Sequence, residues 1–318
     1  MSITRETAAG RPDPASTLPW LKSRLLALAG VDAVGLEARA AKLSTRSLKT
    51  GTKKQLIDLA ISMVDLTTLE GTDTTRRVQS LCARAIRPNT MDPATPSVAA
   101  VCVYPDMVAG AVAALAGTTV RVASVAGAFP SGRSSLAVKL LDVSDALAAG
   151  ADEIDMVIDR GAFLEGDFEK VFGDIVAIKA VCGPVHLKVI LETGELVTYD
   201  NIRRASWLAM LAGADFIKTS TGKVSVNSTL PTALVMLEAV RDFFEETGVR
   251  VGVKAAGGVR STKDALKYLV LVNETVGEDW LTPDLWRFGA SALLNDLVLQ
   301  RDKQRVGHYG RATNYSND

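Results

Sequence analysis

From residue 62 onward the sequence alternates eight times between short runs of branched apolar residues and longer segments with helical spacing. The strand-like runs lie at 62–67, 99–104, 120–125, 153–158, 186–192, 215–219, 251–255 and 285–289. Helix-like segments fall between them at 73–86, 105–116, 134–149, 167–181, 199–212, 232–247 and 261–272, with a last helix over 291–301. Each intervening segment is long enough to carry a right-handed crossover between parallel strands. Gly150, Gly213 and Gly248 stand where helix C-caps belong, each just before the next strand. These units predict an α/β chain folded as a single (β/α)8 TIM barrel, with an open doubly wound sheet as the weaker alternative. A length of 318 residues would suggest two domains, but such barrels run to about 250 residues as one unit.

The chain before the barrel divides in two. Residues 1–16 lack the apolar core of a signal peptide and read as a disordered lead-in. Residues 17–60 read as a helical extension, with Leu21, Leu25 and Leu28 on one period, expected to cover the bottom of the barrel. The barrel is assigned to 61–303 and a C-terminal tail to 304–318.

Strand side chains alternate between faces, so a polar residue held in one phase marks a surface of its own. Asp65 and Thr67 alternate with Val64 and Leu66, Cys102 lies between two valines, and Asp155 lies between Ile154 and Met156. Lys188, Lys218 and Lys254 repeat the pattern in the fifth, sixth and seventh strands, and Glu192 shares the phase of Lys188. With the apolar phase turned to the helices, three lysines and two aspartates face the barrel interior, several near the C-terminal strand ends where barrel active sites form. Burying an ammonium costs hydration, so chemistry is the reason to look for. Lys218 and Lys254, on neighbouring strands, are expected to depress each other's pKa, freeing an amine for carbonyl attack. Asp155 is the expected proton-handling partner, and Lys188 a charge-tuning residue paired with Asp155 or Glu192. The bland alternative is a buried ionic network with no reactive member.

Three glycine-bearing turns add a second signal. Thr221-Gly222-Lys223, Gly257-Gly258-Val259-Arg260 and Gly289-Ala290-Ser291 follow strands six, seven and eight. Barrel phosphate sites use these loops and a helix N-terminus. The Thr-Gly-Lys triplet lacks the upstream glycine of a nucleotide P-loop.

Lysine plus arginine equals aspartate plus glutamate, at 36 each, so charge suggests neither a nucleic-acid nor an anionic-membrane partner. No run approaches the ~20 apolar residues of a membrane helix. Cys82, Cys102 and Cys182 are too scattered for a disulfide framework or a metal site and fit a reducing, cytoplasmic compartment. Cys102 reads as a small buried filler before it reads as a substrate contact. His186 and His308 have no partner pattern, and neither a metal nor a cofactor is expected.

The segments V-D-L-T-T-L (64–69), A-V-C-V-Y-P (100–105), A-D-E-I-D-M-V-I (151–158), L-K-V-I-L-E-T-G-E-L (187–196), F-I-K-T-S-T-G-K (216–223), K-A-A-G-G-V-R (254–260) and R-F-G-A-S (287–291) together resemble the deoxyribose-phosphate aldolase family, in its longer-chain form. The resemblance spans roughly residues 60–300, and its 216–223 block is the most specific part.

It implies a metal-independent class I aldolase that cleaves 2-deoxy-D-ribose 5-phosphate reversibly to D-glyceraldehyde 3-phosphate and acetaldehyde, working as a homodimer or larger homo-oligomer. It also implies roles: Lys218 for the Schiff base, Lys254 for pKa perturbation, and Asp155 with Lys254 for the proton relay. Asp65, Thr67, Cys102, Lys188 and Thr221 would line the substrate channel, and Gly222, Lys223, Gly257, Gly258, Gly289 and Ser291 would hold the phosphate. Three positions depart from the family pattern: Ala255 stands for a usual proline, Ala292 for a second hydroxyl residue, and Tyr315 is followed by three residues where some members end in tyrosine. The competing readings are a Schiff-base barrel for another substrate and a sugar-phosphate-binding barrel without catalysis.

Overall fold

The structure is a computed structural model and describes residues 14–46 and 50–306. Eight strands, β1 (Val64–Thr67), β2 (Ala100–Val103), β3 (Arg121–Ala126), β4 (Glu153–Val157), β5 (His186–Ile190), β6 (Phe216–Lys218), β7 (Gly252–Ala256) and β8 (Trp286–Ala290), form a closed parallel barrel in sequence order. The barrel closes through β1 and β8, with Asp65 opposite Gly289. The expected (β/α)8 architecture is therefore the observed one.

Helices α4 (Thr75–Ile86), α5 (Val108–Leu115), α6 (Leu136–Ala148), α8 (Phe168–Cys182), α9 (Tyr199–Leu211), α10 (Leu230–Thr247) and α11 (Thr262–Val276) make the crossovers, and α12 (Leu293–Val306) follows β8. A short extra helix, α7 (Arg160–Glu165), precedes α8 and had no separate signal in the helical spacing. Most crossovers start on a polar cap: Thr74, Ser135, Asp167, Thr198 and Ser261 each accept a backbone N–H from the first turn, and Thr229 forms a reciprocal capping box with Thr232. Such caps satisfy N–H groups that the helix itself leaves unpaired. The apolar strand phase, including Val64, Leu66, Val101, Ile154 and Val253, is buried against these helices in one continuous core.

The boundaries tighten in several places. Ser62 closes a preceding helix rather than opening β1, residues 105–107 form a 3-10 turn before α5, and β5 stops at Ile190 instead of Glu192. Residues 1–13 of the expected lead-in and 307–318 of the expected tail, with His308 and Tyr315, lie outside the described residues.

The segment before the barrel forms α1 (Pro14–Leu26), α2 (Ala33–Ser44) and α3 (Thr50–Ser62). Its described residues do not cover the barrel's bottom. α1 packs on α8 and α9, α2 on α10 and α11, and α3 on α11 and α12, so the extension straps around the side of the helical ring. Leu21 and Leu25 are fully buried in that contact, and Leu28 is half-buried. Polar ties fix the strap: Asp200 accepts the Val31 N–H, Tyr199 donates to Glu37, and the Arg24 guanidinium lies 4.8 Å above the Trp207 ring.

Candidate active site

Strand register brings the inward polar residues together. Asp155 lies opposite Lys188, Lys218 opposite Lys254, and Lys254 opposite Arg287. Asp155 is the hub: its Oδ1 accepts from Lys188 Nζ at 2.7 Å, while its Oδ2 accepts from Lys218 Nζ at 2.8 Å and Lys254 Nζ at 2.9 Å. Lys254 also lies 2.5 Å from Asp65 Oδ2. Lys188 lies 2.6 Å from Glu153 Oε2. Arg287 closes the lower part of the network, donating to Asp65 Oδ1 at 2.5 Å and to Glu153 Oε1 at 2.8 Å. All seven side chains are essentially buried.

Glycines make room for these long side chains. A Cβ at Gly289 would meet the Lys254 Cε at 3.0 Å, and one at Gly252 would strike the Phe216 ring at 2.3 Å. Phe216 fills the interior beside the network, with the Arg287 guanidinium 5.8 Å from its ring centre.

The three lysines are not electrostatically alike. Burial lowers the proton affinity of each, but carboxylate contacts decide the outcome. For Lys254, Asp155 and Asp65 outweigh burial and hold the amine charged above the ordinary lysine range. For Lys188, Asp155 and Glu153 do the same. Lys218 touches only Asp155, and burial together with the Lys254 charge leaves its pKa lowered. Burial would raise the Asp155 pKa, yet Lys188, Lys218 and Lys254 hold it well below the carboxylate range. The expected mutual depression of the two lysines is thus one-sided. Lys254 has two carboxylates of its own, so only Lys218 is lowered.

Above the network a cavity of about 330 Å³ opens at the C-terminal ends of the strands. Of Lys188, Lys218 and Lys254, Lys218 alone lines it, 2% exposed at its floor. Thr67 and Thr221 line the wall; Gly222, Lys223, Gly257, Gly258, Gly289 and Ser291 all reach the same space. Gly257 (φ +69°) and Gly258 (φ +79°) take consecutive left-handed conformations, and a Cβ on Gly258 would meet the Ser228 carbonyl oxygen at 2.7 Å. This turn leads to α11, while Ser291 and Ala292 precede the first turn of α12. Arg77 and Arg260 also border the cavity, and Lys223 Nζ donates to Glu70 Oε1 at 2.9 Å across its mouth.

Asp65, Lys188, Lys254 and Asp155 lie beneath the cavity floor rather than along its wall. Cys102 is fully buried in a small apolar cluster with Leu69, Ala123 and Val125. Glu192 does not pair with Lys188. Its backbone adopts φ +55°, and its buried carboxylate accepts from the Thr221 N–H at 3.2 Å and from the Thr221 hydroxyl. Sequence reasoning overlooked Glu153 and Arg287. Glu153 stands two residues before Asp155, in its phase, and that spacing could have revealed it. Among the described residues no group of His, Cys, Asp and Glu is arranged to hold a metal ion.

A closed parallel barrel whose C-terminal cavity ends on a buried amine is the framework of a (β/α)8 enzyme. The chain belongs to the DeoC/LacD aldolase family, whose family model matches residues 59–298. It is therefore an aldolase, a carbon–carbon lyase. It is 46% identical over 274 residues to the deoxyribose-phosphate aldolase of Mus musculus, covering 83% of this chain and 86% of the relative. With the Homo sapiens deoxyribose-phosphate aldolase it shares 48% identity over 261 residues, 79% of this chain and 82% of that one. Among solved structures, the tetrameric deoxyribose phosphate aldolase of Aeropyrum pernix superposes with a TM-score of 0.59 at 25% identity, covering 85% of this chain and 98% of the other.

Proposed function

We propose that this aldolase cleaves 2-deoxy-D-ribose 5-phosphate reversibly to D-glyceraldehyde 3-phosphate and acetaldehyde through a Schiff base on Lys218. The observation that carries the reading is the position of Lys218: it lines the cavity, has one carboxylate contact, and has a lowered proton affinity. Lys188 and Lys254 remain charged beneath it.

The neutral amine attacks C1 of the open-chain sugar, and loss of water gives an iminium. The C3 hydroxyl loses its proton, the C2–C3 bond breaks, and the electron pair flows into the iminium to leave an enamine on Lys218. D-glyceraldehyde 3-phosphate departs. Protonation of the enamine at the former C2 and hydrolysis release acetaldehyde and restore the amine. Asp155 and Lys254, 2.9 Å apart, are positioned to pass the protons through water. Asp155 also offsets the positive charge of the iminium.

The substrate phosphate would lie against the Gly257-Gly258 turn, Gly222 and Ser291, with Lys223 exchanging Glu70 for the phosphate. Thr67 and Thr221 would meet the sugar. The deoxyribose-phosphate aldolase names of the mouse and human relatives support this substrate, and the Aeropyrum pernix tetramer supports a homo-oligomer. Three buried free thiols suit a reducing, cytoplasmic compartment, where the enzyme would serve breakdown of deoxyribose phosphate. Incubation with 2-deoxy-D-ribose 5-phosphate, with acetaldehyde and the triose phosphate measured separately, tests the substrate. Equal yields of both are expected. Absence of acetaldehyde, with cleavage of a different phospho-sugar, would reject the assignment.

A further inference from the structure

The barrel interior beneath the cavity holds four cationic side chains and three carboxylates. On the cationic side are Lys188, Lys218, Lys254 and Arg287; on the anionic side are Asp65, Glu153 and Asp155. If all were ionised, one positive charge would be left over among buried side chains, where an uncompensated charge is costly. The contacts show where the surplus falls. Lys188 has Glu153 at 2.6 Å and Asp155 at 2.7 Å, and Lys254 has Asp65 at 2.5 Å and Asp155 at 2.9 Å. Arg287 has Asp65 at 2.5 Å and Glu153 at 2.8 Å. Lys218 has one carboxylate contact, Asp155, and shares it with two other amines.

We propose that Glu153 and Arg287 are positioning residues that fix this charge count, so that Lys218 is the cation the interior can most easily discharge. Neither residue lines the cavity, so neither is placed to touch substrate. Glu153 occupies Lys188, which would otherwise draw more fully on Asp155. Arg287 occupies one oxygen of Asp65 and leaves the other to Lys254. Remove either, and the balance around the amine changes by one unit of charge, in opposite directions.

The other ionisable groups around this tier are accounted for. Arg121 pairs with Glu153 at 3.2 Å from the barrel's N-terminal end, where its other contact is the exposed Asp284 at 3.0 Å. Cys102, on β2, faces Lys218 and Lys254 and has its thiol pKa raised by burial. His186, at the start of β5, lies beside Phe216 with ring centres 6.4 Å apart.

The inference rests on Lys218 as the nucleophile. Its test is the pH dependence of reductive trapping with acetaldehyde, which needs no phosphate contact, in the full-length chain. Glu153→Gln removes one negative charge with little change of shape and should move the trapping midpoint down by about one pH unit, a tenfold change in neutral amine at fixed pH. Arg287→Met should move it up by a similar amount, and the charge-balanced double variant should return it towards the parent. A purely structural role would lower thermal stability in all three without opposite shifts and their cancellation.

Unmoved midpoints, or shifts of the same sign, overturn the inference. Should Arg287→Met fail to fold, Glu153→Gln decides alone: a downward shift supports the proposal and an unmoved or upward midpoint rejects it. Labelling of the parent enzyme distinguishes the two failures. If acetaldehyde labels the parent elsewhere than Lys218, the nucleophile assignment has failed. If Lys218 is labelled and the midpoints stay put, only the charge-count inference has failed.

Discussion

Replacing Lys254 by methionine removes the positive charge that shares an Asp155 oxygen with Lys218 while keeping much of the side-chain volume. Both amines contact the same oxygen of Asp155, at 2.8 and 2.9 Å, which holds them within about 6 Å of each other. Two like charges at about 6 Å and an effective dielectric constant of about 20 repel by about 3 kcal/mol, equivalent to about two pH units. Asp155 would also be released to Lys218, adding to the same direction. Lys254→Met should therefore raise the proton affinity of Lys218, and at neutral pH leave about 100-fold less neutral amine. The pH profile of kcat/KM for cleavage, compared with that of acetaldehyde trapping, is the assay. In the parent the rising limb should have its midpoint below the ordinary lysine value of 10.5. In the variant it should move upward. Because Asp65 and Asp155 would lose a buried partner, a stability loss of about 3–5 kcal/mol accompanies the change, so rates belong well below the melting transition. A limb that stays in place while activity falls would refute the electrostatic reasoning and leave Lys254 a proton-transfer role alone.

Two further outcomes follow from the geometry. Lys223→Ala should raise KM for the phosphorylated sugar by about tenfold or more, one charge-assisted contact, with kcat and acetaldehyde trapping little changed; an equal effect on free deoxyribose would remove Lys223 from the phosphate end. Thermal stability should fall on both sides of a broad plateau. Asp65, Glu153 and Asp155 have folded pKa values below their ordinary 3.8 to 4.5, so their contribution is complete above that range and lost as pH drops through the folded values. Lys188 and Lys254 are raised above 10.5, so theirs is complete below that value and lost as pH rises through the folded values. Calorimetry from pH 2 to 12 checks the onset of both losses, and a melting temperature that rises on acidification below pH 4 would contradict the network.

The fold was legible because strand and helix periods alternate so regularly, and because polar residues keep a constant phase on the strands. That phase alone placed Asp65, Asp155, Lys188, Lys218 and Lys254 on one interior surface, where the structure has them in contact. Glu153 was equally visible in the E-I-D spacing but sits at the first residue of β4, where a charged residue reads as a solvent-facing strand end. Arg287 was hidden for the same reason near the start of β8. The opposite electrostatic fates of Lys218 and Lys254 could not be read from spacing. They depend on how many carboxylates each amine reaches, which barrel register decides and sequence separation does not. Glu192 misled because phase was extended beyond the last strand residue. Past Ile190 the chain turns left-handed, and the carboxylate swings to Thr221. The strap of α1 to α3 shows the same limit: helical spacing gave the helices but not the side of the barrel that receives them.

On the proposed mechanism Lys218, and no other amine, forms the covalent intermediate. Reduction with borohydride in the presence of acetaldehyde, followed by peptide mapping, tests it most directly. A single reduced two-carbon adduct on Lys218, absent without acetaldehyde and lost in Lys218→Met, is the predicted result. An adduct on Lys188 or Lys254, or cleavage activity that persists in Lys218→Met, would contradict it.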